Sequence, residues 1–191
     1  FSDKIKEIEA KGAAGVGTPT SNKFKNWVGQ ISDLDNELNK LISYIDRTAT
    51  NFLHQNFGKD DLKIVLRLNK GFSYRRTGKT NNYELLSPFI KLSIEKKLSN
   101  GKFKAIDRPQ SFLNEGKLTA IALSIRFTLL DRRPTKPELK ILAFDDLLIS
   151  LDMENRMDVL RLIFKLYEKD YQLFFFTHDW GFYEEVKRYT E

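Results

Sequence analysis

A run of four apolar residues that ends in two acids begins at position 141: Ile141-Leu142-Ala143-Phe144-Asp145-Asp146. A second apolar run, Leu173-Phe174-Phe175-Phe176, ends in Thr177-His178-Asp179. The interval between them is long enough for a full helix, which we predict over residues 152–169. Apolar strands that alternate with helices are typical of a parallel sheet covered by helices on both faces. The sequence therefore predicts an α/β fold.

The polar residues after these two strands are predicted to share one edge of the sheet, where ligand sites of open α/β folds lie. Asp145 can hold Mg²⁺ there through water, and Asp146 can orient or deprotonate an attacking water. The structural alternative is that the acids merely end a strand and that His178 is a capping or packed residue. The pairing of two such strands favours a site.

A second candidate site precedes the helix that we predict over residues 117–130. Gly116 lets the backbone come close to a ligand or adopt a positive φ, and the helix N-terminus offers free N–H groups to an anion. The structural alternative is an ordinary loop with Asn114 as the N-cap. Asp152, in Ser150-Leu151-Asp152, has a similar alternative as the cap of the following helix.

In order along the chain, four elements resemble the C-terminal lobe of SMC, RecF and related ABC-type ATPase heads of the P-loop superfamily. Residues 113–117 resemble a signature motif, residues 141–146 a Walker B strand, residues 150–152 a D-loop, and residues 176–179 a switch-histidine segment. The resemblance covers roughly residues 60 to 191. It implies ATP and Mg²⁺ as cofactors.

The resemblance also implies a role for each residue. Asp145 would bind the metal, and Asp146 and His178 would be catalytic, acting on the attacking water and the γ-phosphate. The nucleotide would be contacted by Asn114, Gly116, Lys117 and Asp152, with the signature residues reaching the ATP held by the opposite head of a dimer.

Two positions depart from the family pattern. Asn114 and Glu115 stand where the signature motif usually has Ser and Gly, and Glu115 adds negative charge near a phosphate. The second Walker B acid is Asp146, where many relatives have Glu. Its shorter side chain predicts slow turnover.

The Walker A loop that the resemblance requires is missing. Thr77-Gly78-Lys79-Thr80 contains Gly-Lys-Thr, but position 73, where the first glycine of the loop belongs, is Ser73. A strand, not a helix, is predicted to follow, so we interpret residues 75–80 as a basic hairpin tip. The expected partners are an N-terminal Walker A lobe, from the same parent chain or another chain, and a second head in an ATP-dependent homodimer.

The N-terminal part is predicted as a short helix and flexible linker over residues 1–21, followed by a heptad helix over residues 22–57 with Ser21 as its N-cap. The helix is either amphipathic on a globular core or the root of a coiled coil, which SMC-type proteins place between their lobes. Residues 58–191 form the predicted lobe. The apolar seam is Phe24, Trp27, Ile31, Leu34, Leu38, Leu41 and Ile45.

A small antiparallel sheet is predicted between this helix and the candidate sites. Alternation predicts strands at residues 64–68 and 90–94, with residues 72–76 as the hairpin partner of the first. Asn100-Gly101 is a turn signal that leads into a strand at residues 103–106.

Composition limits the remaining possibilities. The chain has 191 residues and no cysteine, which excludes disulfides and thiolate metal sites. No apolar run could span a bilayer, and we expect a cytoplasmic fragment of a longer chain. The net charge of +6 permits a polyanionic partner without requiring one. Basic residues on predicted hairpin tips could contact phosphates or form a solvated rim: Arg75, Arg76, Lys79, Lys96, Lys97, Lys102 and Lys104.

The sequence is compatible with three alternative functions. The first is half of an ATP-hydrolysing head that dimerises on ATP and acts on DNA in repair, chromosome maintenance or anti-phage defence. The second is a catalytically degenerate ATPase fold used for interaction. The third is a metal-dependent nuclease that uses Asp145, Asp146 and His178.

Overall fold

The computed structural model of the chain describes residues 1–78, 81–132, 139–145 and 153–190, with residues 153–155 described by their backbone alone. The chain forms two compact units. Unit 1 comprises Phe1–Thr48 and Ile64–Ile94, and unit 2 comprises Ala49–Lys63 and Glu95–Glu191. The predicted sites at Asp146 and Asp152 lie outside the described residues.

The described elements agree closely with the predicted order. The helices are α1 (Ser2–Ala13), α2 (Asn22–Phe57), α3 (Pro109–Phe112), α4 (Glu115–Asp131), α5 (Met153–Tyr167) and α6 (Trp180–Thr190). The strands are β1 (Leu62–Lys70), β2 (Ser73–Thr77), β3 (Asn82–Leu86), β4 (Phe89–Lys97), β5 (Phe103–Ala105), β6 (Ile141–Asp145) and β7 (Gln172–Phe176). In the described part of the chain, none of the helices is both long and apolar enough to cross a membrane.

Helix α2 begins at the predicted cap, since the Ser21 hydroxyl accepts a hydrogen bond from the Phe24 N–H at 3.2 Å. Its apolar stripe packs into the core of unit 1, which supports the interpretation of an amphipathic helix on a globular core. The stripe departs from the predicted seam at Leu41, because the structure buries Ile42 instead. An α-helix has 3.6 residues per turn, so a stripe that contacts a core drifts away from a strict heptad.

The stretch predicted as a flexible linker is shorter and better packed than the sequence indicated. Helix α1 continues to Ala13, and Val16 is buried and donates its N–H to the Asn81 carbonyl at 3.2 Å. A Cβ atom at Gly12 would lie 2.6 Å from the Tyr83 carbonyl oxygen and 2.8 Å from the Trp27 ring. Glycine at this position therefore allows close packing.

The hairpin partner predicted for β1 was wrong, because β2 pairs antiparallel with β3. Tyr74 and Tyr83, one on each strand, contact the Trp27 ring on α2, with centroids 5.3 and 5.7 Å away. This packing on the helix holds β2 and β3 together as one hairpin. Gly78, with φ 67°, lies at its tip, and strand β3 follows. A strand follows this segment, as predicted, and not the helix that a Walker A loop requires; Lys79 and Thr80 lie outside the described residues.

Strands β1, β4 and β5 form a sheet in that order, and β4 and β5 are antiparallel. The predicted turn at Asn100-Gly101 joins them, with Gly101 at φ 79° and the Leu98 N–H donating to the Lys102 carbonyl at 2.8 Å. This confirms the predicted small antiparallel sheet.

In unit 2, β6 and β7 pair in parallel, as predicted. Leu142 and Phe144 of β6 and Leu173 and Phe175 of β7 pack with α4, α5 and α6 in one hydrophobic core. Ile141, Phe174 and Phe176, which alternate with them, are 42%, 39% and 56% exposed. The sequence predicted helices on both faces, but the described helices cover one face only.

Two aspartates of α2 accept hydrogen bonds from backbone N–H groups elsewhere in unit 1. The Asp35 carboxylate accepts from the Phe72 N–H at 2.7 Å, and the Asp46 carboxylate accepts from the Leu66 N–H at 2.9 Å. A Cβ at Gly71 would lie 2.5 Å from an Asp35 oxygen, so glycine is needed for this approach. These bonds tie β1 and the loop after it to the helix.

We expect Asp35→Ala to lower the free energy of unfolding by about 1–3 kcal/mol, because it leaves the Phe72 N–H without its acceptor. Urea denaturation followed by circular dichroism measures this change. Asp33→Ala, an exposed change on the same helix, is the matched control and should stay within about 0.5 kcal/mol of the wild type. Equal effects of the two variants would contradict the assigned role of Asp35.

Candidate functional site

The carboxyl ends of β6 and β7 lie side by side. Asp145, the last residue of β6, is in register with Phe176, the last residue of β7. His178 follows two residues later, and both Asp145 and His178 are exposed. The structure therefore brings these two predicted residues to the same edge of the sheet.

Hydrogen bonds fix the segment that carries His178. The Asp179 N–H donates to the Thr177 hydroxyl at 3.1 Å, and the Asp179 carboxylate accepts from the Phe182 N–H at 3.1 Å, which caps the first turn of α6. The same carboxylate forms an ion pair with Arg156 of α5, whose side chain is only 12% exposed. His178 is thus held between a strand, a helix cap and a mostly buried ion pair.

The Arg156 guanidinium hydrogen-bonded to Asp179, helped by the Phe182 N–H, lowers the pKa of the Asp179 carboxyl below its usual value. A carboxyl whose pKa is lowered in the folded state stabilises the fold above its unfolded pKa, which is about 3.9. That stabilisation is lost as the pH falls through the folded pKa. The ion pair is therefore intact at neutral pH.

The motif pattern in the sequence assigned no role to Asp179, and it missed Arg156. These two residues are separated by a helix and a strand, so no local pattern joins them. The signal in the sequence is an arginine shortly after the D-loop-like segment. An arginine near the start of a helix is common in proteins of every function, so this signal alone does not identify a contact.

The candidate signature loop has a well-defined local structure. Leu113 is buried, and the Asn114 side chain accepts a hydrogen bond from the Lys117 N–H at 3.1 Å. Asn114 is therefore the N-cap of α4, as the structural alternative predicted. The Lys117 ammonium is 3.9 Å from an Asp61 carboxylate oxygen in a partly exposed pair.

Among the residues that the structure describes, none gives Gly116 a structural reason to be glycine, because no atom lies within 4 Å of the position that its Cβ would occupy. Of the two possibilities for this glycine, a positive φ is not adopted, since Gly116 is not among the described glycines with positive φ. A cavity of about 290 Å³ lies next to it, lined by Lys59, Asn114, Lys117 and Asp158 among others.

The candidate signature loop and Asp145 lie at different ends of α4. Asp145 lines a cavity with Arg126, Phe127 and Leu130, in the C-terminal half of that helix. From Gly116 to Arg126 an α-helix rises about 15 Å. The structure therefore does not join Asn114, Gly116 and Lys117 to the Asp145–His178 edge.

The Asp145 carboxylate at this edge could serve as a single protein ligand of Mg²⁺. Within the described ranges, no three His, Asp or Glu side chains cluster in a way that could hold a metal ion. Mg²⁺ in phosphate-binding sites takes one or two carboxylates and completes its shell with phosphate oxygens and waters. The exposed Asp145 carboxylate, at the end of a strand, could be one of these carboxylate ligands.

No family model matches the chain, and no curated protein matches it. Among solved structures, the chain is similar to the Smc head domain of Pyrococcus furiosus bound to the C-terminal domain of ScpA, with a TM-score of 0.46 and 18% identity over 81% of this chain and 34% of that one. It is also similar to the Smc head of Pyrococcus yayanosii with a coiled coil and joint, with a TM-score of 0.49 and 16% identity over 92% of this chain and 28% of that one.

A third similar structure belongs to work on the ATP-driven dimerisation and DNA-stimulated activation of SMC ATPases, with a TM-score of 0.47 and 20% identity over 76% of this chain and 73% of that one. The chain thus spans 34% and 28% of the two Pyrococcus heads. These structures belong to the class that the sequence motifs resemble. All three TM-scores are below 0.5, so function has to be argued from the chain's own residues.

We expect opposite effects of two variants at the start of α4. Asn114→Ala should lower the free energy of unfolding by about 1 kcal/mol, because it removes the N-cap acceptor. Gly116→Ala should raise it by about 0.5–1 kcal/mol, because alanine loses less backbone entropy in a helix and meets no neighbour. Urea denaturation of the chain measures both. A loss of stability in Gly116→Ala would mean that the glycine has a role within this chain.

Proposed function

We propose that this chain is the C-terminal half of an SMC/RecF-like head that binds and hydrolyses ATP after a Walker A lobe completes it. The observation that carries the proposal is the parallel register of β6 and β7, which brings Asp145 and His178 to one edge of the sheet. Ligand sites of open α/β sheets lie at such an edge. The Walker B-like and switch-like segments therefore have the arrangement that the function needs.

The exposed apolar face of the β6–β7 sheet supports the proposal that a further lobe covers it. Parallel sheets occur almost only with both faces covered. Ile141, Phe174 and Phe176 are apolar and point to the uncovered side, while their neighbours fill the core. A lobe that covers this face and carries a Walker A loop would come from the same parent chain or from another chain. It would supply the backbone N–H groups that hold the phosphates.

Each residue of the edge then has a role. Asp145 would hold Mg²⁺, which neutralises phosphate charge when it is bound. His178 would donate a hydrogen bond to the γ-phosphate, and the Arg156–Asp179 pair would keep the histidine segment in place. Asp146 would orient the attacking water, and Asp152 would contact the nucleotide from the D-loop; both are proposed from the sequence alone.

Asn114, Gly116 and Lys117 would contact the ATP held by a second head. Two observations support this arrangement. No atom of the described residues lies within 4 Å of a Cβ at Gly116, and the loop lies about 15 Å along α4 from the region of Asp145. A backbone free of a Cβ, at a helix N-terminus, can approach a phosphate that belongs to another molecule. The active species would be an ATP-dependent homodimer that acts on DNA in the cytoplasm, in repair, chromosome maintenance or anti-phage defence.

A catalytically degenerate interaction module is the second candidate, favoured by Glu115. This acid is exposed in the first turn of α4, directly beside Gly116. A carboxylate there would repel a phosphate at short range. The two candidates differ in turnover by the complete protein, while both permit dimerisation.

In the complete protein, we expect Asp145→Ala and His178→Ala each to reduce ATP hydrolysis at least tenfold, which corresponds to about 1.4 kcal/mol in the barrier. Asp145→Ala removes the metal ligand, and His178→Ala removes the contact to the γ-phosphate. Steady-state phosphate release measures both. Near-normal rates for the two variants would refute the catalytic role of this edge, and a wild type without turnover would favour the interaction module.

We expect Gly116→Arg in the complete protein to spare ATP binding by a single head and to abolish ATP-driven dimerisation and hydrolysis together. The arginine side chain would occupy the space that the second head's phosphate needs. Gly29→Arg is the matched control, since a Cβ at Gly29, on the exposed side of α2, also meets no neighbour within 4 Å. Light scattering with and without ATP decides: dimerisation of Gly116→Arg at the level of the control means that residues 113–117 are not a signature motif.

A further inference from the structure

The segment from the end of β4 to the start of α3 concentrates positive charge. Between positions 96 and 108 it has five basic residues and a single acid, Asp107. The basic residues are Lys96, Lys97, Lys102, Lys104 and Arg108. This part of unit 2 is therefore far more basic than the chain as a whole, in which 32 basic residues face 26 acids.

The register of the hairpin places like charges opposite each other. Lys96 of β4 is the direct partner of Lys104 of β5, and Lys97 is the partner of Phe103. Like charges directly opposite on antiparallel strands destabilise the sheet. In the part of the chain that the structure describes, no acidic side chain forms an ion pair with Lys97, Lys102 or Lys104. The fold therefore keeps an arrangement that an anionic partner would relieve.

Two phenylalanines lie beside these lysines and are open to solvent. Phe112, the last residue of α3, is 58% exposed, and Phe103 of β5 is 37% exposed. The Lys96 ammonium lies 4.8 Å from the centroid of the Phe112 ring, which links the hairpin to this ring. Phe112 lies on the face of Lys96 and Lys104, whereas Phe103, which is opposite Lys97, lies on the other face, because successive residues of a strand point to opposite faces. The first face therefore offers two lysines and an exposed ring at the same place.

Protection of an edge strand against unwanted pairing does not by itself account for the lysines and phenylalanines of this segment. Lysines on an edge strand such as β5 prevent unwanted pairing with other sheets. That purpose would be weakened, not served, by exposed phenylalanines beside them. A partner that uses both the charges and the rings explains the whole set.

We infer that the lysine hairpin, defined as residues 96–104 together with Phe112, binds single-stranded nucleic acid. Lys96 and Lys104 contact the phosphates, and Phe112, on the same face, stacks on an unpaired base. Proteins that bind single strands combine these two features, because every base has a face on which a ring can stack. A duplex would use the lysines but would leave the Phe112 ring exposed to water, because its bases are already stacked on each other.

The inference adds a location and a strand type to the DNA partner of the proposed function, and in that respect it rests on the proposal. Its test needs no ATP, since the chain itself carries the whole surface. Variants that lose binding at the hairpin would not alter the Asp145–His178 edge, and variants that lose ATP turnover would not alter the hairpin. The two failures are therefore distinguishable.

The experiment measures fluorescence anisotropy of a labelled oligo-dT of about 20 nucleotides, longer than a typical single-strand site, over a range of salt. We expect Lys96→Gln/Lys104→Gln to weaken binding at least tenfold and to reduce the slope of log affinity against log salt by about 1.4, which is about 0.7 for each lost phosphate contact. Phe112→Leu, which keeps an apolar side chain without a ring, should weaken oligo-dT binding at least fivefold and leave the salt slope unchanged.

The matched control is Lys25→Gln/Lys70→Gln, which removes the same charge at two exposed positions of unit 1 and should bind within twofold of the wild type. Circular dichroism verifies that every variant is folded. If the control and Lys96→Gln/Lys104→Gln weaken oligo-dT binding equally, the assignment of the binding site to the lysine hairpin is overturned. A duplex or a polyglutamate peptide of matched charge that binds as tightly as oligo-dT would overturn the single-strand assignment, as would normal oligo-dT binding by Phe112→Leu. A wild-type chain that binds no oligo-dT would overturn the inference as a whole.

Discussion

The parallel hydrogen bonding between β6 and β7 is the constraint on which the candidate site depends. It puts Asp145 opposite Phe176, so that an acid and the His178 segment leave the sheet at the same edge. Parallel neighbours require a crossover connection, and α5 provides the helical part of it. That helix also carries Arg156, which holds the histidine segment through Asp179. One pairing therefore fixes both the positions of the site residues and the contact that orients them.

The start of α4 has a structural role in the fold, and under the proposed function it has a binding role as well. Asn114 caps the helix by accepting the Lys117 N–H, which accounts for its residue type without any ligand. Gly116 has no such account among the described residues, because no atom of theirs lies within 4 Å of a Cβ at this position and its φ is not positive. The cap keeps the first turn regular and the glycine keeps it accessible. A loop with only a structural role would need the first property and not the second.

Most elements were predictable because their signals are local: apolar runs for β6 and β7, the Ser21 cap for α2, and Asn100-Gly101 for the β4–β5 turn. The errors concern choices between distant parts of the chain. The pairing of β2 with β3 depends on tyrosines that pack against Trp27, and the Arg156–Asp179 pair joins residues on either side of β7. Whether α2 buries Ile42 or Leu41 depends on the surface against which the helix packs. None of these can be derived from spacing alone.

The uncovered apolar side of the β6–β7 sheet has a consequence for the life of the protein in a cell. Ile141, Phe174 and Phe176 form the kind of surface by which chaperones and proteases recognise an orphan subunit. If the proposed second lobe covers this side, a copy without it would be held or degraded, while a complemented copy would persist. If that lobe is a separate polypeptide, the cellular level of this chain would therefore follow the level of that polypeptide. Quality control would in this way keep the two halves in equal amounts without any dedicated regulator.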